Sequence, residues 1–203
     1  SNLIPLLQLH DTNLSGMDLS NTNLSGTNLS GMDLSGANLS GANLSGANLS
    51  GANLNDVKFY HTNLSGADLT NLKLNGSDLS KCYFNGADFT NTDLSNSLIQ
   101  YSSLEGVVLN NTIIKNVDFL ASNLGDNDFR NMDFTGVNLK KSFLHNSNLS
   151  SINLAGIDLS EATLFNTNLS DSNLTGSNLL GTIIMYSNFD NAQLYCKNNQ
   201  LCK

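Results

Sequence analysis

The sequence is short of proline, tryptophan, cysteine and charge: it has one Pro, no Trp and three Cys in 203 residues, and only 13% Asp, Glu, Lys and Arg. That is not the composition of an average enzyme. Positive charge is scarcest, nine Lys and Arg against 17 Asp and Glu for a net charge of -8, which argues against a nonspecific phosphate-binding surface and so against nucleic acid as a partner. No apolar run approaches the roughly 18 to 20 residues of a membrane span, and no apolar segment with a cleavage site precedes the first repeats. No membrane association is expected. The chain starts at Ser1 without a Met, which reads as a trimmed start or an excised domain.

What is present follows one rule. From Ile4 to Leu194 every fifth residue is Leu, Phe or Ile, giving 39 centres of which 28 are Leu, seven Phe and four Ile, without an insertion. Two residues before each centre stands a mostly small or compact residue, such as Ala37, Ala42, Thr62, Ser97, Val107 or Ile152, and one before it usually Asn or Asp. Ser and Gly follow in the clearest copies, so that residues 36–50 read GANLSGANLSGANLS.

A period of five suits neither regular element. On a helix the Leu positions would advance by about 140° per step and spiral around the cylinder, and in a flat strand an odd period would send successive Leu side chains to opposite faces. The chain must turn a corner every five residues so that each Leu returns to a common interior. In Leu39-Ser40-Gly41-Ala42 the Gly holds the third place of a turn, where positive φ is needed. Such units bury little alone and acquire a core by stacking.

The unbroken A(N/D)LSG register, explicit in Ala37-Asn38-Leu39-Ser40-Gly41, resembles the pentapeptide-repeat family over Ile4 to Leu194. The resemblance implies an all-β fold, a right-handed quadrilateral β-helix with four pentapeptides per coil and about ten coils, the centre and the residue two before it pointing inward. One domain is expected over 1–203, with repeats over 2–196 and a C-terminal tail at 197–203. At strand spacing of about 4.8 Å per coil the rod would be on the order of 45 Å long. Seven of nine Phe occupy centres while Tyr60, Tyr83, Tyr101, Tyr186 and Tyr195 take outward positions, as phenol hydroxyls that need a partner should.

Catalytic chemistry is not expected. His10, His61 and His145 fall on three different columns, so the reading gives no catalytic, cofactor-binding or metal-binding residues and no cofactor. Cys82 takes an inward slot and is expected to be buried and inert. Cys196 and Cys202, past the last centre, either close a small disulfide loop over the open end or stand as free thiols. Asn-Leu-Ser sequons at Asn13, Asn23, Asn28, Asn38, Asn43 and Asn48 fit a bacterial origin or a cytosolic site of action better than eukaryotic secretion. The expected location is the bacterial cytoplasm, or a host cytosol for an exported effector.

Binding information should lie where the outward positions stop being Asn, Ser and Gly. One departure is a ring, Leu98, Ser103, Val108 and Ile113, which fills the Asn/Asp slot on four consecutive sides. The other is a strip: positions 20 apart stack, so Phe143, Thr163 and Ile183, flanked by Phe165, Met185 and Tyr186, would expose apolar surface over the last coils. The bland alternative has the tail, with Tyr195 and Leu201, folding back over that strip. The favoured function is a non-catalytic protein-binding rod with a protein partner or a homodimer through its C-terminal coils, possible as the recognition module of a larger bacterial protein such as a secreted effector. Two alternatives come from the family resemblance: the β-helix domain of an effector ubiquitin ligase, and a DNA mimic that binds DNA gyrase. The mimic is disfavoured by magnitude, since about 45 Å of duplex carries roughly 26 charges, although Asp68, Asp88 and Asp128 share one side and Asp118 and Asp158 another.

Overall fold

The computed structural model describes residues 13–202, so the expected centres Ile4 and Leu9 and the surface residue His10 lie outside the described residues. Within it the chain winds in coils of 20 residues, each position pairing in parallel with the equivalent position one coil on, as in Asn23↔Asn43 and Asn43↔Asn63. Each coil has four faces, named here by their first described centres Leu14, Leu19, Leu24 and Leu29.

Most pentapeptides use their backbone in the same way. The N–H of Leu44 donates to the Asn63 carbonyl at 2.7 Å, that of Asn43 to Thr22 at 2.9 Å and that of Gly46 to Ser65 at 2.9 Å, while Ala47 donates back to Leu44 at 3.0 Å to close the turn. Buried backbone groups are thereby paired without long strands. The third turn residue has positive φ throughout, 69° at Gly41, and where Gly is missing Asn is the usual substitute, as at Asn71, Asn91 and Asn111. Asn tolerates that region because its short side chain bonds locally.

The Asn/Asp slot has a physical reason. The Asn43 side-chain oxygen accepts the Ser45 N–H at 3.1 Å and the Asn63 amide at 3.3 Å, while its own amide donates to Asn23 at 3.5 Å. An amide can therefore continue a ladder from coil to coil. A carboxylate only accepts, and so begins one: Asp18 receives Asn38, and Asp33 receives Asn53.

The centres form one core. Leu29, Leu39, Leu44, Phe84, Phe89 and Leu144 are wholly buried, each stabilising the fold by about 1.5–3 kcal/mol relative to an exposed side chain. Hydroxyls two before the centre are buried as well, and they bond carbonyls of turns: Thr62 Oγ1 donates to Leu39 at 2.8 Å, Ser102 Oγ to Leu79 at 3.0 Å. Cys82 sits in the same slot, buried, its thiol 2.9 Å from the Phe59 carbonyl and its pKa pushed up to about 12 by that burial. That agrees with an inert cysteine.

The stack is not uniform. Bridges are absent between 53–58 and 73–78, between 108–113 and 128–133, and between 133–138 and 153–158, and open grooves of about 430 and 710 Å³ lie at the first two places. At the second place the inward slot has outgrown its neighbours: Asn127 faces Val107 and Met132 faces Thr112 on one side and Ile152 on the other. Close packing leaves no slack for two enlarged residues. Size alone does not decide it, because Val117 and Val137 meet and the Asp118↔Asn138 bridge persists.

The tail continues the winding, with Lys197 paired to Asn178 and Cys196 bonded to Cys202 across the end of the rod. This settles the cysteines in favour of the disulfide. It also overturns the fold-back alternative: Tyr195 and the strip residues Phe143, Phe165, Ile183, Met185 and Tyr186 are all exposed, since pairing with the last coil holds the tail at the end of the rod.

Candidate functional site

Two of the sequence-derived features look different in three dimensions. Leu98, Val108 and Ile113 are exposed and lie on three different faces, as a ring around four sides should, Leu98 paired between Asp78 and Asp118 and Val108 with Asp88, and they therefore form no single surface. Only Val108 and Ile113 come together, at the rim of the larger groove, beside Arg130. Arg130 is fastened to Asp128 at 2.7 Å, which holds that carboxyl below the usual range. The column proposed for charge mimicry therefore runs Asp68, Asp88, Val108, then an aspartate already paired with Arg130.

The strip, in contrast, assembles. Phe143 pairs with Thr163 and Thr163 with Ile183 on the Leu24 face, and at the adjoining corner the Phe165 and Tyr186 rings meet edge to face with centroids 5.3 Å apart. Edge-to-face contact holds both rings in place at the surface.

Sequence reasoning missed that the same side continues toward the N-terminus. Tyr83 lies on the Leu24 face itself, and Tyr60 and Tyr101 at its other corner, all exposed. The Lys81 ammonium donates to the Tyr60 hydroxyl at 3.0 Å and lies 5.0 Å from that ring's centroid, while His61 packs edge-on against Tyr60 with centroids 4.4 Å apart. The hydrogen bond to the Tyr60 hydroxyl, with the charge interaction between the two groups, raises the Lys81 pKa. Six exposed aromatics, Tyr60, Tyr83, Tyr101, Phe143, Phe165 and Tyr186, thus occupy one face and its two corners, and among the described residues only Tyr195 is an exposed aromatic elsewhere. The column arithmetic applied to Phe143 leads back in steps of 20 to Tyr83, whereas Tyr60 and Tyr101 are corner positions outside that column.

The expectation of no metal-binding residues rests on the histidines alone and leaves out the carboxylates around His145. Glu105, Asp126 and His145 bring one ligand atom each within 4.8 Å of one another, on the corner between the aromatic patches. Comparing histidines only with one another overlooked carboxylates one and two coils away.

The pentapeptide-repeat family model matches the chain in eight copies, over residues 8–41, 33–71, 62–100, 102–140, 142–181 and 164–195. Among solved structures the chain is similar to HetL, a pentapeptide-repeat protein involved in heterocyst differentiation regulation from the cyanobacterium Nostoc sp. strain PCC 7120, at 25% identity, 88% of this chain, 87% of HetL and a TM-score of 0.51. It is also similar to full-length QnrB1, a plasmid-mediated fluoroquinolone resistance protein, at 15% identity with 91% of this chain and 86% of QnrB1 covered, but the TM-score of 0.29 is too low to bear on role. No curated protein matches the chain. With nearly its whole length matched by the repeat model, the chain belongs to the pentapeptide-repeat family and is a right-handed quadrilateral β-helix.

Proposed function

We propose that this pentapeptide-repeat scaffold is a non-catalytic protein-binding rod and that the Leu24 face, with its two corners, is where a protein partner sits. The observation that carries the reading is the gathering of Tyr60, Tyr83, Tyr101, Phe143, Phe165 and Tyr186 on that one side. Aromatic side chains offer large rigid contact area at low entropic cost and anchor protein interfaces. The other faces present mostly Asn, Asp, Ser and Gly, side chains already used in the turn and ladder bonds of the fold. Protein contact is favoured over DNA mimicry because the acidic column is interrupted by Val108 and neutralised at Asp128 by Arg130. HetL is involved in heterocyst differentiation regulation, and a regulatory scaffold is the role carried over here. The rod can serve alone, as a homodimer joined through its last coils, or as the recognition module of a larger bacterial protein.

The test compares a Phe143→Ser, Phe165→Ser protein and a Tyr60→Ser, Tyr83→Ser protein with an Asn38→Ser, Asn48→Ser control on the neighbouring faces. Oligomeric mass is read by light scattering, and proteins captured by the unaltered rod from a bacterial lysate are quantified on each variant. Loss of dimer or of captured protein in at least one aromatic variant, with the control unchanged, is the expected result. Equal binding by all three, or equal loss, removes the face from consideration.

A further inference from the structure

We propose that Glu105, Asp126 and His145 form a binding site for a divalent transition-metal ion of the zinc class, an inference independent of the protein-binding reading. Three neighbouring coils supply one ligand each. The imidazole Nε2 of His145 stands 3.8 Å from Asp126 Oδ2, and the ligand atoms of all three residues lie within 4.8 Å of one another. Ions bound at about 2.0–2.2 Å by nitrogen and oxygen draw such donors to roughly 3.3 Å apart, closer than the 3.8 Å between His145 and Asp126 here. An imidazole with two carboxylates suits zinc and its first-row neighbours rather than calcium, which takes oxygen donors.

The supporting residues are arranged as they are around bound metals. The Asn123 amide donates to Glu105 Oε2 at 2.9 Å and the Asn146 amide to Asp126 Oδ1 at 2.9 Å, so each carboxylate is oriented and keeps its other oxygen free. The backbone has been rewritten at the same spot. In the repeat a serine precedes the corner glycine, but here the glycine has moved one place forward and Asp126 holds the corner with φ 58°. Gly125 does not have positive φ and so is not needed for the turn. A Cβ there would collide with the His145 ring. The missing side chain is what lets the imidazole lie down between Glu105 and Asp126. Glu105 and His145 are half-buried and Asp126 exposed, which leaves the ion's remaining positions to water or to a group brought by another molecule.

The experiment uses the full chain, stripped with a chelator and dialysed, with zinc chloride as the probe. Zinc titration calorimetry should give one equivalent bound, and cobalt substitution should give the visible absorption of a nitrogen- and oxygen-ligated ion. His145→Ala and Glu105→Gln should each weaken zinc by more than the roughly 10–100-fold that loss of a supporting partner costs, and Gly125→Ala should weaken it by displacing the ring. His61→Ala should bind as the unaltered chain does. Glu105→Gln keeps the size and the acceptor for Asn123, so it guards against a misfolded variant, and each variant's melting curve without metal checks the same point. Absence of stoichiometric zinc binding by the unaltered chain overturns the proposal, as does binding that survives His145→Ala and Glu105→Gln.

Discussion

The coils from residue 13 to 53 and those from 98 onward share one backbone plan and differ in nearly everything attached to it. In the first region every outward position is Asn, Asp, Ser or Gly and the inward slot is Ala, Thr or Met. In the second, Phe143, Phe165, Ile183, Met185 and Tyr186 point outward and Asn127, Met132, Ile152 and Ile157 point inward. The regular region shows what the fold requires, and the departures from it are therefore free of structural necessity or work against it. Outward departures leave the core untouched, and the proposed contact face is built from them. Inward departures such as Asn127 and Met132 lie where the coils part.

The comparison is tested most severely in the core. Leu44 and Leu124 occupy the same column of the Leu24 face, one in each region, and both are buried to 1% exposure or less. Leu44→Ala and Leu124→Ala are each expected to cost about 2–5 kcal/mol in chemical denaturation, with the smaller loss at Leu124, because parted coils nearby can close on the cavity while the regular stack cannot. A loss under about 0.5 kcal/mol at both sites would contradict a single continuous core, and a smaller loss at Leu44 than at Leu124 would reverse the ranking of the two regions.

A smaller effect is expected from the inward polar group that most distinguishes the second region. The Asn127 amide donates to the Leu104 carbonyl at 2.8 Å and the Leu124 carbonyl at 3.0 Å, and its oxygen accepts the Val107 N–H at 2.9 Å, replacing the usual turn bond of that coil. Asn127→Ala strands three buried backbone groups and should cost about 1–3 kcal/mol. Thr62→Ala, which removes the one bond to Leu39 in a regular coil, should cost less. Thermal melts of the two variants side by side give the ranking, and an Asn127→Ala protein as stable as the unaltered chain would mean the amide fills space without holding the turn.

These two residues show where the sequence is legible. Leu44 could be placed from periodicity alone, since a five-residue step fixes both the corner and the interior. Asn127 could not: Asn is also the commonest outward residue, and only the count from the centre puts it inside, with nothing to say that its amide would displace a turn bond. The C-terminal strip was legible because stacking at 20 residues is exact in this fold, as Phe143, Thr163 and Ile183 show. Glu105 and His145 share a column two coils apart, and the set escaped because the residue between them in that column is Gly125 while Asp126 joins from one place off it, where direct stacking does not lead.

The smallest expected effect concerns the carboxylates that begin ladders in the regular region. Asp33 accepts hydrogen bonds from the Ser35 hydroxyl and from the Ser35 N–H at 3.0 Å, with the Asn53 amide adding at 3.0 Å, and these hold its pKa below the ordinary value of 3.8; Asp18 is lowered in the same way by Ser20 and Asn38. A folded-state pKa below the unfolded one contributes stability that is fully present above the unfolded value and is lost as pH falls through the folded one. Melting temperature should therefore hold steady down to about pH 4 and decline below it. Both groups are solvent-exposed, so the contribution is small and screened by salt. Asn in the same slot keeps the turn bond, as Asn43 does for Ser45 at 3.1 Å, and carries no titrating proton. Asp18→Asn with Asp33→Asn should accordingly match the unaltered chain at pH 7 and show a shallower decline between pH 4 and 2.5. An acid limb of unchanged slope would mean that the ladder-starting carboxylates contribute nothing beyond what an amide supplies, and that acid sensitivity arises in the more heavily altered coils.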